Sequence, residues 1–299
     1  MRKDLEDKIP VIGIPIVNGY EWLDRLIKSI DYPVKTVLIL NNSGGNKDLT
    51  EKLTALEKQK FELIDNIQVV NFPSNMGVSF AWNFVIKSNI LEPYWIISNH
   101  DIEFTPGLLK EMVKYQKGPQ VSLVHPGHGN YTQGSFDLFL IKDKAVREIG
   151  LFDENLYPAY GEDADYIMRL KNNNSVRVCG LEDKVHKHGN SLAGDPLKET
   201  YIGSIDNYIA SNDVDEINAN ENYDERYKGE GGRTKKEASG DIEERLTHIN
   251  ELNYTYLNEK WGEWWRGTAP HLHPMNNSSL PQSYTTFDID FVREKHLGF

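Results

Sequence analysis

The residues best able to do chemistry in this sequence of 299 residues follow an apolar run at 94–98, YWIIS. Asn99, His100, Asp101 and Glu103 come directly after it. Such a run predicts a strand covered on both faces, so these side chains should lie at the carboxyl edge of a sheet, where open α/β proteins bind ligands. Oxygen ligands there suit Mg²⁺ or Mn²⁺ carrying a phosphate-rich substrate. The alternative is a solvated loop with an acid that caps the next helix.

Two further clusters place amides or acids at the boundary of a predicted element. Asn41 and Asn42, followed by Ser43, end a predicted strand and could present donors and acceptors to a nucleotide base or ribose. In any protein they are also favourable turn residues. Residues 162–165, EDAD, fall at the start of a predicted helix, and Asp163 could act there as a general base. These acids could equally do no more than complement the helix dipole.

Two histidines, His186 and His188, follow the last predicted strand. Imidazole is an acceptable ligand for Mn²⁺ beside carboxylate and phosphate, so either ring could close a metal site from the far side. Ordinary surface imidazoles are the alternative.

Composition excludes several classes of protein. The formal net charge of −12 disfavours binding to nucleic acid or to an anionic membrane, and it means that a phosphorylated ligand needs a cation beside it. The single cysteine, Cys179, excludes an intrachain disulfide, and no apolar segment approaches the roughly 20 residues of a membrane span. The first ten residues contain no apolar core of a signal peptide, so we expect a soluble, cytoplasmic protein.

Strands and helices alternate over the first two thirds of the chain. Apolar runs predict strands at 11–17, 36–42, 67–71, 94–98, 122–126, 136–141 and 176–180. Helical spacing predicts helices at 21–30, 47–59, 108–117, 143–149 and 164–171, with another that carries Phe80, Trp82, Phe84 and Val85. This order predicts an α/β fold with a mainly parallel sheet flanked by helices.

The last third of the chain has a different composition. Residues 211–241 are rich in charge, Asn and Gly, and we expect a flexible loop there, ordered when ligand binds. A predicted helix at 242–260 precedes a cluster of tryptophans that includes Trp261. We therefore predict a catalytic domain at 1–195 and a mostly helical extension at 196–299 that completes the acceptor side.

The order of these motifs resembles the GT-A glycosyltransferases, in particular the large inverting family called glycosyltransferase family 2, with its rhamnosyltransferase-like members. The matching positions are Pro15, Asn41-Asn42-Ser43, Asn75-Met76-Gly77, Asn99-His100-Asp101 with Pro106-Gly107, Gly150-Leu151-Phe152-Asp153-Glu154, Glu162-Asp163-Ala164-Asp165 and His186. No single motif is specific, but seven in the family's order are hard to obtain by chance.

The resemblance implies a GT-A, Rossmann-like fold and an inverting transfer from a nucleotide-diphosphate sugar to a glycan or other hydroxyl acceptor. It implies that Asp163 is the catalytic base and that a divalent metal, Mn²⁺ or Mg²⁺, is held on the diphosphate. The candidate metal ligands are Asp101, His186, His188 and Glu103, with the family's spacing favouring His186. The candidate substrate-binding residues are Pro15, Asn18, Asn41, Asn42, Asn75, Gly77, Asn83, Asn99, His100, Glu162 and Asp165.

Two departures and two rival functions qualify this resemblance. Asn41 stands where the family has a base-reading Asp, which leaves the nucleotide open, and Asn99 stands where it has the first metal-binding Asp. A nucleotidyltransferase of the same fold would need a Gly-rich basic loop after the first strand. Residues 18–20, NGY, are neither Gly-rich nor basic. A catalytically inactive carbohydrate-binding or scaffolding protein is the rival from another class; Asn99 favours it and Asp163 speaks against it.

Overall fold

In this computed structural model of the protein, structure is described for residues 8–118, 121–126, 136–159, 161–171, 173, 175–181, 187–188, 253, 255–261, 289–291 and 293. The first half contains β1 (Ile9–Ile16), α1 (Tyr20–Lys28), β2 (Val34–Asn41), α2 (Lys47–Glu57), β3 (Ile64–Asn71), α3 (Val78–Ser88), β4 (Tyr94–Ser98), β5 (Ile102–Glu103) and α4 (Leu108–Lys114). After it come β6 (Val121–Pro126), β7 (Leu138–Lys142), α5 (Asp143–Ile149), α6 (Glu162–Lys171), β8 (Arg177–Leu181) and β9 (Lys187–His188). Towards the C-terminus, residues 255–261 form α7 and Ile289–Phe291 form α8.

Seven strands form one mixed sheet in the order β3-β2-β1-β4-β7-β6-β8. The first four strands in this order are mutually parallel, and β7 runs antiparallel to both β4 and β6. The chain moves outward from β1 to β3 and then returns to place β4 on the other side of β1. Strand order therefore reverses between β1 and β4, and the carboxyl ends of these two strands flank a topological switch point, where α/β sheets bind ligands.

The sheet is buried on both faces because its central strands are apolar throughout. All five residues of β4 are buried, and so are seven of the eight residues of β1. Alternate residues of a strand point to opposite faces, so Ile12 and Ile14 join one core layer while Val11 joins the other. The first layer contains the apolar faces of α1, α2 and α4, and the second contains those of α3, α5 and α6.

The predicted α/β class is confirmed, with differences at the ends of elements. The edge strand β3 begins at Ile64, three residues before its predicted start, and α6 begins at Glu162 instead of residue 164. The helix predicted at 108–117 ends at Lys114 and continues as a 3-10 turn. The predicted loop at 211–241 lies outside the described residues, as does most of the extension. Within the described residues, no helix is long and apolar enough to cross a membrane.

Candidate active site

The end of β4 carries the acid predicted to bind metal. Asp101 and His100 are buried, and Asn99 is partly exposed. The backbone N–H of Asn99 donates to the carbonyl of Asp137 at 2.7 Å, which ties the end of β4 to the start of β7. Asp101 is thus held at the switch point between β1 and β4.

Asp163, the predicted base, lies close to the same edge. Burial raises the pKa of Asp163, the negative charge of Asp137 raises it further, and the Ala164 N–H, which donates to Asp163 Oδ1 at 2.7 Å, lowers it in part. The net shift is upward. Because Asp137 interacts with Asp163 through its charge and with Asn99 through its carbonyl, it links the predicted base to the end of β4.

The loops that follow β2 and β3 are joined by asparagine side chains. Asn41 Nδ2 donates to Asn71 Oδ1 at 2.7 Å, which joins the ends of the two strands. Asn42 Oδ1 accepts from the Met76 N–H at 2.7 Å, and its Nδ2 donates to Asn75 Oδ1 at 3.0 Å. Asn41 and Asn42 are both buried, and their side chains hold the two loops together in this structure.

A second connection joins the α3 N-terminus to the loop that precedes Asp163. Gly77 has φ of 85°, and a Cβ added there would lie 3.0 Å from the ring of Tyr157. The Val78 N–H donates to the carbonyl of Pro158 at 2.8 Å, and the Tyr157 hydroxyl donates to the carbonyl of Asn75 at 3.1 Å. Glycine is therefore required at position 77 both by its backbone conformation and by the close approach of Tyr157.

One of the predicted histidine ligands, His188, belongs to β9, which forms a short two-stranded sheet with β5. The backbone of His188 pairs with that of Ile102, the residue after Asp101, and this pairing brings β9 beside the end of β4. His186 lies outside the described residues. Glu103 Oε2 accepts from Arg25 at 2.7 Å, so its carboxylate is already ion-paired. Among the described residues, no group of three or more His, Cys, Asp or Glu is placed to hold a metal ion.

Two of the predicted substrate contacts, Asn83 and Asp165, bond to protein groups in the structure. Asn83 is fully buried: it donates to the carbonyl of Phe152 at 2.9 Å and to Glu154 Oε1 at 2.8 Å, and it accepts from the Phe152 N–H at 2.9 Å. Asp165 is fully buried too, and Arg169 Nε donates to it at 2.9 Å. Both side chains are thus held in place by protein groups.

The remaining predicted residues lie at the edge of the site. Pro15 pairs with Leu40 near the end of β1, and Asn18 follows that strand; both are partly exposed. Glu162 begins α6 and is buried. These positions agree with the predicted contacts but do not test them.

Sequence reasoning missed four residues that surround Asp153 and Asp165. They belong to α6 and α7, and they are Arg169, Tyr256, Lys260 and Trp261. The spacing of Asp165 and Arg169, four apart on a helix, was an available signal for an ion pair. The partners from α7 had no such signal, because about 100 residues separate them from α6.

Comparison with known proteins places this arrangement in a family. A model of "Glycosyl transferase family 2" matches residues 11–171, more than half of the chain. A galactofuranosyl glycosyltransferase of Leishmania donovani is 22% identical over 232 aligned positions, covering 54% of this chain and 52% of that protein. The chain thus spans about half the length of this curated relative.

One solved structure supports the fold. The mannosyltransferase PcManGT from Pyrobaculum calidifontis, in complex with GDP-Man and Mn²⁺, has a TM-score of 0.51 at 12% identity, with 84% of this chain and 74% of that chain covered. S. aureus TarS in complex with UDP-GlcNAc has a TM-score of 0.46 at 15% identity, with 88% of each chain covered. At such identities the likeness to PcManGT shows the fold alone. Since the family match runs from β1 to the end of α6 and takes in nearly all of the motifs described above, the protein belongs to glycosyl transferase family 2.

Proposed function

We propose that the protein transfers a sugar from a nucleotide-diphosphate donor to a hydroxyl acceptor, with inversion at the anomeric carbon. One observation supports the proposal: segments that carry candidate residues approach one another at three points. Asp137 bonds to Asn99 and its charge acts on Asp163, Tyr157 lies against Gly77, and β9 pairs with the residue after Asp101. Family membership supports glycosyl transfer as the reaction class.

Asp163 is the base in this proposal. The acceptor oxygen forms a bond to the anomeric carbon, the bond from that carbon to the diphosphate oxygen breaks, and the acceptor proton passes to a carboxylate oxygen of Asp163. An ordinary aspartate is a weak base, but burial raises the pKa of Asp163 and brings it closer to working pH. Glu162, which precedes it at the start of α6, binds a hydroxyl of donor or acceptor in this proposal.

A divalent cation fits the chemistry of the site, with Asp101 as its protein ligand. Asp101 is a buried carboxylate at the switch point, and its hard oxygen suits Mn²⁺ or Mg²⁺. The β5–β9 pairing places the segment containing His188 beside it, so an imidazole from His186 or His188 is the second candidate ligand. When bound, the cation stabilises negative charge on the departing diphosphate. Glu103 is the weakest candidate, because Arg25 already neutralises it.

The test is turnover of nucleotide-sugar donors by the purified full chain. GDP-mannose and UDP-sugars with Mn²⁺ come first in the panel, since PcManGT binds GDP-Man and Mn²⁺. We expect release of nucleoside diphosphate that is lost with Asp163→Asn and with EDTA, while Asp65→Asn, a surface acid paired with Lys8, behaves as wild type. The absence of turnover across the panel, in the presence of glycan acceptors, contradicts the proposal.

A carbohydrate-binding protein without catalysis is the second candidate. It is favoured by Asn99, which cannot supply the negative charge of a carboxylate to a metal. Calorimetric binding of glycans, with no nucleotide-dependent stabilisation in thermal shift, is the outcome that selects it.

A further inference from the structure

The side chain of Lys260 is buried between two acids of the family motifs. Its Nζ lies 2.7 Å from Asp153 Oδ2 and 2.7 Å from Asp165 Oδ1, and none of the three side chains is exposed. Burial opposes the charge of Asp153, yet the ammonium of Lys260 and the hydroxyl of Tyr256 hold the pKa of Asp153 below its usual value. Both acids bind a lysine that comes from α7.

Among the residues that the structure describes, this cluster pairs two acids with two cations. Arg169 supplies the second positive charge, with Nη2 at 2.8 Å from Asp165 Oδ2. Two carboxylates, Asp153 and Asp165, thus face two cations, Lys260 and Arg169. Removing one member of such a buried set leaves an uncompensated charge, which is why each member constrains the position of the others.

The same C-terminal segment contacts the loop that leads into Asp163. Asn253 Nδ2 donates to the carbonyl of Ala159 at 2.8 Å, and Trp261 Nε1 donates to Asp165 Oδ1 at 2.8 Å. Leu257 Cδ1 lies 2.8 Å from the position that a Cβ on Gly161 would occupy, so the α7 side chain presses directly on the loop backbone. Leu257 and Trp261 also form an apolar cluster with Leu156 and Met168.

From these contacts we propose that Lys260 and Trp261 are positioning residues for Asp163, and that α7 is part of the catalytic unit. The inference rests on the proposed function, in which Asp163 is the base. Asp165 is two residues from Asp163, and its N–H donates to the carbonyl of Gly161 at 2.8 Å, which closes the first turn of α6. By holding Asp165, α7 fixes the turn that carries the base.

This role predicts a kinetic signature that a loss of stability alone does not give. The loops that carry Asn42 and Asn75 adjoin β2, β3 and α3, whereas Lys260 binds Asp153 and Asp165, which lie on α6 and the loop before it. Displacing Asp163 should therefore lower kcat and leave the donor KM unchanged. A shift of about 1 Å in a catalytic group can cost on the order of 100-fold in rate, and we expect a fall of that size.

The experiment compares four variants of the full chain by kinetics, denaturation and amide hydrogen exchange. Lys260→Met removes the ammonium, and Trp261→Phe removes the indole N–H together with part of the ring. Lys87→Met is the matched control, because Lys87 pairs at 3.4 Å with Glu154 on the same loop but at the surface. In the double variant Asp153→Asn/Lys260→Met, no unpaired buried carboxylate remains, so its denaturation midpoint should return towards wild type.

We expect Lys260→Met to lower kcat about 100-fold, the cost of a displaced catalytic group, and Trp261→Phe to lower it less. Amides 161–166 should exchange about tenfold faster in Lys260→Met than in Lys87→Met. The double variant should regain stability without regaining kcat. Recovery of kcat together with stability, or exchange at 161–166 equal to that of Lys87→Met, overturns the positioning role. Amide hydrogen exchange does not depend on catalytic turnover. It therefore tests whether α7 holds residues 161–166 in place even if the proposed function fails.

Discussion

Replacing Asn83 by Asp tests the structural role that the fold assigns to a residue predicted to bind substrate. The carboxamide of Asn83 uses its nitrogen to reach the carbonyl of Phe152 and Glu154 Oε1, the latter at 2.8 Å. An oxygen in place of that nitrogen cannot donate to either group. Asn83→Asp is nearly isosteric, so it changes hydrogen bonding and charge without opening a cavity.

Two costs add in this variant. The carbonyl of Phe152 loses its donor, which costs about 1–3 kcal/mol for a buried group. Two carboxylates about 4 Å apart repel by about 4 kcal/mol at an effective dielectric constant of ~20. That figure is an upper bound, because Glu154 is 27% exposed and either acid can take up a proton, so we use about half of it. The free energy of unfolding should fall by about 3–5 kcal/mol at pH 8.

The loss depends on pH with a defined sign. The new carboxyl is buried beside an acid, so its pKa is raised in the folded state above the unfolded value of about 3.9. Its penalty is therefore absent below about pH 4 and grows as pH rises through the folded pKa. Asn83→Asp should be less destabilised at pH 5 than at pH 8.

Denaturant unfolding at pH 5 and pH 8 measures both effects, with Asn89→Asp as the control. Asn89 ends the same helix, is partly exposed and donates to the carbonyl of Val85 at 3.0 Å, so its loss should stay below about 1 kcal/mol. Equal losses in Asn83→Asp and Asn89→Asp refute this account. A tenfold weaker nucleotide affinity of folded Asn83→Asp also refutes it, because that result would support the substrate contact predicted from sequence.

Three further predictions follow from the site. Asp163→Asn should lower kcat by about 10²–10⁴-fold. In the wild type the acid limb of kcat/KM should lie above the ordinary aspartate pKa, since burial raises the pKa of Asp163; a limb near pH 4 contradicts this. Gly161→Ala should lower the free energy of unfolding by about 1–3 kcal/mol, measured by denaturation, because its Cβ meets Leu257 and φ is 98°. Asp101→Ala should abolish Mn²⁺-dependent nucleotide binding in calorimetry, whereas Glu103→Gln should keep it. The reverse result would mean that Glu103, and not Asp101, binds the metal.

The fold was predictable where local pattern decides the structure. The run at 94–98 is wholly apolar or small and is followed at once by polar residues, so β4 has the predicted bounds. The start of β3 was missed because Asp65 and Asn66 are exposed on an edge strand, where burial no longer selects apolar residues. Fold class depends on many such segments, and no single misplaced end changes it.

The types of the candidate site residues could be predicted from the sequence, but the hydrogen-bond and ion-pair partners of their side chains could not. Asp165 lies in a family motif and Asn83 is a predicted substrate contact, but a sequence does not tell whether a polar side chain bonds to protein or to ligand. The bond from Lys260 to Asp153 spans 107 positions of the chain, and no periodicity or local spacing marks such a pair. In our proposal the functional unit extends beyond the family match at 11–171 to include α7.

The two aspartates of the EDAD motif have different environments because of helix geometry. At 100° per residue, side chains two positions apart point about 200° away from one another, onto opposite faces of the helix. Asp163 is partly exposed and interacts with Asp137 at the sheet edge, while Asp165 is fully buried against Lys260 and Arg169. In the proposed reaction, one face of the first turn of α6 presents Asp163 to the substrate while the opposite face is held by protein groups. Lys260 and Trp261 of α7 are among those groups, which couples the C-terminal segment to the proposed base.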